Sequence, residues 1–107
     1  MKRLTVKTQF RTYEGCWLQI DHYLADSSLV IDIVNPDDHI ARITTCLDRL
    51  TVHEDEAYVD TNNCPWAEDF IHRYRLGEDT QICAQSGFCT YPLYKFDMDR
   101  IKEFCLE

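Results

Sequence analysis

Residues 60–66 read Asp-Thr-Asn-Asn-Cys-Pro-Trp and form the densest polar cluster in the chain. A helical pattern starts directly after them, which places Cys64 at or beside a helix N-terminus. Unpaired backbone N–H groups and the helix dipole favour a thiolate there, so Cys64 is the candidate nucleophile. A nucleophilic thiol also needs a base. His22, His39, His53 and His72 qualify by type alone. His72 lies two turns along the same helix, out of reach, and the nearby Glu68 and Asp69 oppose a negative sulfur. The same residues also make an Asx-rich turn that caps a helix, with Trp66 as its anchor. No base-and-orienter set is visible, so no catalytic residue is expected beyond the bare candidate Cys64.

Zinc would draw on Cys64, Cys83, Cys89 and Cys105 together with the imidazoles. The Cys83-x5-Cys89 spacing is wider than the usual two-to-four-residue knuckle. Cys16 and Cys46 complete a set with no Cys-x-x-Cys pair. In a reducing compartment such cysteines are small apolar residues rather than a disulfide framework. Residues 86–94, Ser-Gly-Phe-Cys-Thr-Tyr-Pro-Leu-Tyr, mix one glycine with aromatics but hold no phosphate-binding glycine pattern. No metal and no cofactor are therefore expected. Such aromatics suit either a protein-binding surface or plain packing. Carboxylate pairs such as Asp37-Asp38, Glu68-Asp69 and Glu78-Asp79 are adjacent in sequence. Neighbours on a strand or helix do not face each other, so these make poor paired-carboxylate sites.

Charge says more. The formal net charge is −8. Residues 1–53 carry seven acids and six bases, whereas residues 54–107 carry twelve acids and five bases. Binding a nucleic-acid backbone requires Lys and Arg to displace counterions, so no direct nucleic-acid contact is expected. An acidic half suits solubility, or steering onto a basic protein surface. The candidate contacts are Glu54, Asp55, Glu56, Glu68, Asp69, Glu78 and Asp79. The opening Met-Lys-Arg-Leu-Thr-Val-Lys has no uninterrupted apolar stretch of the kind a secretory signal needs. No run is long enough to span a bilayer. A cytoplasmic protein that does not engage membranes is expected.

These residues need elements to hold them. Leu4, Val6, Thr8 and Phe10 alternate with polar residues, the pattern of a half-buried strand. Glu14-Gly15 reads as a turn, and Cys16, Leu18, Ile20 and His22 as the apolar side of a second strand. Residues 26–28 break the chain, and residues 29–34 are the richest β-branched run, a central strand. Asn35-Pro36-Asp37-Asp38 is a turn. Residues 40–46 give a fourth strand, residues 47–56 fit a helical turn or a strand equally, and residues 57–60 a short strand. Ala67, Phe70, Ile71 and Tyr74 recur at helical spacing. Pro65 suits the first turn, and Gly77 is the stop, which bounds the helix at about residues 65–76. Residues 77–87 read as a polar loop, and residues 88–96 as a strand that Pro92 confines to an edge or interrupts. Asp97 is the N-cap of a short helix carrying Met98, Ile101, Phe104 and Cys105. The expected architecture is a single α+β domain over residues 1–107. An antiparallel sheet of five or six strands packs against one main amphipathic helix, with a short C-terminal helix beside it.

The two motifs, residues 60–67 and 86–94, resemble an uncharacterised family of small acidic proteins from Firmicutes and their plasmids, phages and integrative elements. The resemblance is specific over residues 57–97. It implies no activity and transfers no site residue. It does imply a mobile-element setting, in which small acidic proteins often act as counter-defence factors of the anti-CRISPR or anti-restriction kind. Some of those mimic DNA by presenting carboxylates where a nuclease expects phosphates. The expected function is a non-enzymatic interaction protein that occupies a basic nucleic-acid-binding surface of a host protein, such as a defence nuclease. The alternatives are a small cysteine-dependent enzyme using Cys64 and a zinc-stabilised binding module.

Overall fold

A computed structural model describes residues 2–47 and 52–106 of the chain. In chain order the elements are β1 (Leu4–Lys7), β2 (Thr12–His22), β3 (Leu29–Val34), β4 (His39–Arg42), β5 (Thr44–Thr45), β6 (Glu56–Val59), α1 (Ala67–Tyr74), β7 (Gly77–Ser86), β8 (Cys89–Phe96) and α2 (Met98–Lys102). The strands form two four-stranded sheets, β1-β2-β3-β4 and β5-β6-β8-β7, with every strand pair antiparallel.

The expected α+β class and antiparallel pairing hold. The single sheet of five or six strands is corrected to two sheets with eight strands among the described residues. The division falls at Ile43. The run expected as one strand over residues 40–46 is two, because the backbone turns a corner there. Ile43 N–H donates to Ile31 O (3.0 Å) in the first sheet, and Ile43 C=O accepts from Asp60 N (2.8 Å) beside the second. Its side chain is fully buried at that corner. Strands that switch sheets in this way carry apolar periodicity straight through the break, so the pattern alone does not reveal it.

Gly15 is a second correction. The turn lies earlier, where Thr8 Oγ1 accepts from the N–H groups of Phe10 (3.1 Å) and Arg11 (3.2 Å). Glu14 and Gly15 lie inside β2, where the register slips by one residue between Leu4↔Cys16 and Val6↔Tyr13. Gly15 has φ +67°. A β-bulge with glycine in the left-handed region places one extra residue without ending the strand.

Helix α1 runs from Ala67 to Tyr74, shorter than the span of about residues 65–76. Pro65 belongs to the turn that leads in, with Trp66 as N-cap. The C-cap is Arg75 in the left-handed region (φ 56°), so Arg75, not Gly77, ends the helix. Gly77 opens β7, where a Cβ would sit 2.7 Å from Lys95 O and 3.0 Å from Phe96 Cδ1. Close approach to β8 is what requires glycine there. The expected polar loop over residues 77–87 is therefore strand β7. It is an edge strand with no fully buried residue, so no apolar alternation marks it. β8 lies inside the sheet, paired with β6 over residues 93–95 and with β7 along its length. Pro92 falls just past the last β6–β8 pair, Tyr58↔Leu93, where no neighbour asks for its missing N–H.

Asp97 caps α2 as expected, its Oδ1 accepting from Arg100 N–H (3.1 Å). The core joins both sheets and both helices, with Leu18, Ile31, Val59, Ile71, Tyr94 and Ile101 each fully buried. The chain after α2 ties back to the first sheet, where Leu18 N–H donates to Phe104 O (2.8 Å). No helix among the described residues is long and apolar enough to cross a membrane.

Candidate interaction site on the C-terminal sheet

Cys64 sits in the turn before α1. Asp60 organises that turn: its carboxylate accepts from Asn63 N–H (3.2 Å) and Asn63 Nδ2 (2.9 Å), and its C=O accepts from Cys64 N–H (2.8 Å). The Cys64 side chain is buried and its Sγ donates to Arg42 O (3.6 Å). Burial, with the Asp60 carboxylate adding to it, pushes the thiol up to about 11. Two residues short of the N-cap, Cys64 does not receive the helix-terminal stabilisation that its sequence position suggested. No imidazole hydrogen-bonds to it among the described residues. The local chemistry is that of a protonated packing thiol.

The four cysteines considered as zinc ligands occupy different places. Cys64 is buried, Cys83 is exposed on β7, Cys89 is half-buried on β8, and Cys105 follows α2 with its Sγ donating to Ile101 O (3.4 Å). Among the described residues no three His, Cys, Asp or Glu side chains converge as a metal would require.

The seven candidate acids are placed by the pleat of the second sheet. Glu56 on β6, Lys95 on β8 and Glu78 on β7 are direct cross-strand partners, so they share one face. One step along, Ala57, Tyr94 and Asp79 are partners on the opposite face. Helix α1 packs over that second face. Tyr94 Oη donates to Glu68 Oε2 (2.6 Å), while His72 Nε2 lies 3.1 Å from the same hydroxyl. The hydroxyl proton is committed to Glu68, so His72 Nε2 is the donor in the second contact. Glu68 and His72, one helical turn apart, thus straddle the hydroxyl of a fully buried ring. Burial, the Glu68 hydrogen bond and the Glu68, Asp79 and Asp69 charges push the Tyr94 phenol far up.

Glu54, Asp55 and Glu56 wall a cleft of about 550 Å³ completed by His22, His53 and Lys95. His22 Nε2 donates to Glu54 O (3.1 Å), and His53 N–H donates to Glu56 Oε1 (3.0 Å). The cleft presents three carboxylates against one ammonium. The seven acids therefore do not form one patch. Three wall this cleft, with Glu78 on the far side of Lys95; Glu68 and Asp79 lie against Tyr94 on the opposite face, and Asp69 lines a groove with Thr5, Lys7 and Arg73.

Ion pairing separates these acids from the rest. Among the described residues the salt bridges fall on Asp32, which pairs with Arg42 (2.8 Å) and His39 (3.3 Å), and on Glu103, which pairs with Lys2 (2.7 Å) and Arg100 (3.2 Å). None of the seven forms a salt bridge among the described residues. Glu56, Glu68 and Asp79 each accept an internal hydrogen bond, from His53 N–H, Tyr94 Oη and Gln81 N–H respectively. The side chains of Glu54, Asp55, Asp69 and Glu78 accept none within the described residues.

Sequence reasoning named His22 and His53 only as bases by type, and missed their place in the cleft, Lys95 and the Glu68–Tyr94–His72 link. The i, i+4 spacing of Glu68 and His72 was a usable signal for the link. Nothing local joins His22 to His53 or to Lys95, because the end of β2 in the first sheet meets the loop before β6 of the second only in the folded chain, through His22 Nε2 and Glu54 O.

No curated protein and no solved structure matches the chain. The family model described as Domain of unknown function (DUF4313) matches residues 17–107, from within β2 through α2. That range contains the second half of β2, all of β3, β6 and β8, the cleft, the Tyr94 link and the 57–97 segment that carries the two motifs. The chain belongs to the DUF4313 family.

Proposed function

We propose that this chain is a non-enzymatic acidic interaction protein that docks onto a basic protein surface. The observation that carries the reading is the uncompensated charge of the second half. Seven carboxylates around the C-terminal sheet form no salt bridge among the described residues, while the chain's described ion pairs lie elsewhere. Unpaired carboxylates cost little while solvated, and they gain most when a partner brings Arg or Lys to them. The cleft walled by Glu54, Asp55 and Glu56 is the natural seat for one such side chain. A basic surface of this kind is what a nucleic-acid-handling protein presents to phosphate. In the mobile-element setting of the Firmicutes proteins that the motifs resemble, the docked chain is a counter-defence factor, holding the channel of a host nuclease against its duplex.

The test is affinity capture from nuclease-treated host lysate at low and high salt, followed by binding measurements on the captured protein. The variant carries Lys at Glu54, Asp55, Asp69 and Glu78, the four acids without internal hydrogen bonds. The reading predicts a basic partner lost at high salt and released by the charge-reversed variant. Binding that survives the reversal at full strength would sink it.

A further inference from the structure

β7 is the outer strand of the second sheet. From Thr80 to Tyr94 no residue carries a charge or an imidazole, in a chain of formal net charge −8. Edge strands are normally guarded by charges, prolines, bulges or a covering element. Here the register shifts between Asp79 and Cys83, with Gln81 at φ 68°. That irregularity ends before Cys83, and residues 83–86 pair regularly with residues 89–92. The hairpin closes through Gly87 (φ +62°) and Phe88. In such a two-residue turn the closing pair, Ser86 and Cys89, exchanges both hydrogen bonds. Cys83 and Gln85 therefore turn N–H and C=O outward. The hairpin's other edge is guarded by Pro92, which has no N–H to offer. Ile82 (56% exposed) and Phe88 (108%) stand free beside the open edge.

We propose that β7 pairs with β7 of a second copy of this chain, antiparallel about a twofold axis at Ala84, which joins the two C-terminal sheets into one. With the axis there, Cys83 of each copy faces Gln85 of the other, and every outward N–H and C=O of the regular segment is used. Ala84 meets its own copy at the closely spaced position, where small side chains fit. The exposed Phe88 of each copy points toward the exposed Ile82 of the other, within diagonal reach. Charge selects this occupant. Glu78 and Asp79 fall beyond the partner's Gly87-Phe88 turn, so no carboxylate faces a carboxylate. Elsewhere two acidic copies repel, whereas a basic partner is drawn to the carboxylates and gains nothing from a neutral edge. An antiparallel edge is also self-complementary, as a twofold contact requires.

Sedimentation of the purified protein in reducing buffer tests this, from about 1 μM to about 1 mM, the weak limit of a specific pair. The expected result is a monomer–dimer equilibrium that tightens as salt rises, because screening relieves the residual repulsion between acidic copies. That is the opposite of the salt response expected for a basic partner. Ala84→Lys and Ala84→Glu each place like charges face to face, and each alone is expected to be monomeric. Mixed in equal amounts they are expected to restore the dimer. Gln85→Pro removes an outward N–H without changing charge, and serves if a charged variant does not fold. A wild-type chain that stays monomeric through about 1 mM overturns the proposal, as it would if an unrelated chain used this edge. So does a dimer that persists in the variants, or a folded pair of variants that stays monomeric when mixed.

Discussion

Alkylation of Cys64 is the sharpest chemical test of how the turn at residues 60–66 is built. A thiol held at about 11 is ionised to about one part in a thousand at pH 8, against about one part in ten at its unfolded value of 9.0. Ionisation alone thus slows Cys64 by about 90-fold relative to the unfolded thiol, and its burial slows it further. Cys83, exposed on β7, is the internal reference. Quenched iodoacetamide labelling, read by peptide mass spectrometry, gives the two rates in one sample. The native ratio is expected to exceed about 100-fold at pH 8 and to collapse toward unity in denaturant. Labelling of Cys64 should also climb about tenfold per pH unit from 8 to 10 without levelling. The same displacement links to stability. A thiol raised in the folded state contributes stability that is intact below its unfolded value of 9.0 and is lost as pH climbs through about 11. The slope amounts to roughly 2–3 kcal/mol over that window, and Cys64→Ala should remove it. Native labelling of Cys64 within tenfold of Cys83 would refute the burial argument and return Cys64 to the list of nucleophiles.

Other perturbations follow from the same geometry. Gly77→Ala forces a Cβ against Lys95 O and Phe96, and urea unfolding should show a loss of about 1–3 kcal/mol. Arg75→Gly relaxes a left-handed C-cap and should raise stability by about 1 kcal/mol in the same assay. Tyr94→Phe removes the hydroxyl shared by Glu68 and His72. It should cost about 1–2 kcal/mol, with the fold retained by circular dichroism because the ring still fills the core. Burial pushes the Asp32 carboxyl up, but hydrogen bonds from Arg42 and His39 and the Arg42 charge outweigh it and hold it below its usual range. A depressed carboxyl contributes stability above its unfolded value of 3.8, and that contribution is lost as pH falls through the folded value. Thermal melts of Asp32→Asn should therefore fall less than wild type between about pH 5 and 2.

What the sequence made legible were the elements with one buried face. The alternation of Cys16, Leu18 and Ile20 marked β2, the β-branched run marked β3, and Ala67, Phe70, Ile71 and Tyr74 marked α1. Capping chemistry was legible too: Asp97 accepts from Arg100 N–H, and Asn35 Oδ1 accepts from the N–H groups of Asp37 and Asp38 in the expected turn. The misreadings share a cause. Gly15 and Gly77 both look like stops, yet one is a bulge and the other a close contact, and only the partner strand distinguishes them. β7 has no apolar stripe because neither face of its outer half is covered. The ambiguity over residues 47–56 is settled only from residue 52 on, where residues 54 and 55 turn into β6; residues 48–51 lie outside the described part of the chain. The acidic residues were legible as a composition and not as a surface, because the pleat sends Glu78 and Asp79 to opposite faces.

That separation bears on how the second half works. A strand that alternates acid across its two faces cannot give one broad carboxylate patch, yet it charges the rim of the sheet on both sides. Glu56 and Glu78 flank Lys95 on one face, and Glu68 and Asp79 lie against Tyr94 on the other. The neutral hairpin leaves the same sheet from the same strand. β7 is thus acidic where it meets the helix and uncharged where it runs free, and the register irregularity between Asp79 and Cys83 marks the boundary. Charge and edge are thereby separated along a single strand. A cationic surface docked at the rim, as proposed, would leave the arm open to the proposed second copy, so neither contact excludes the other.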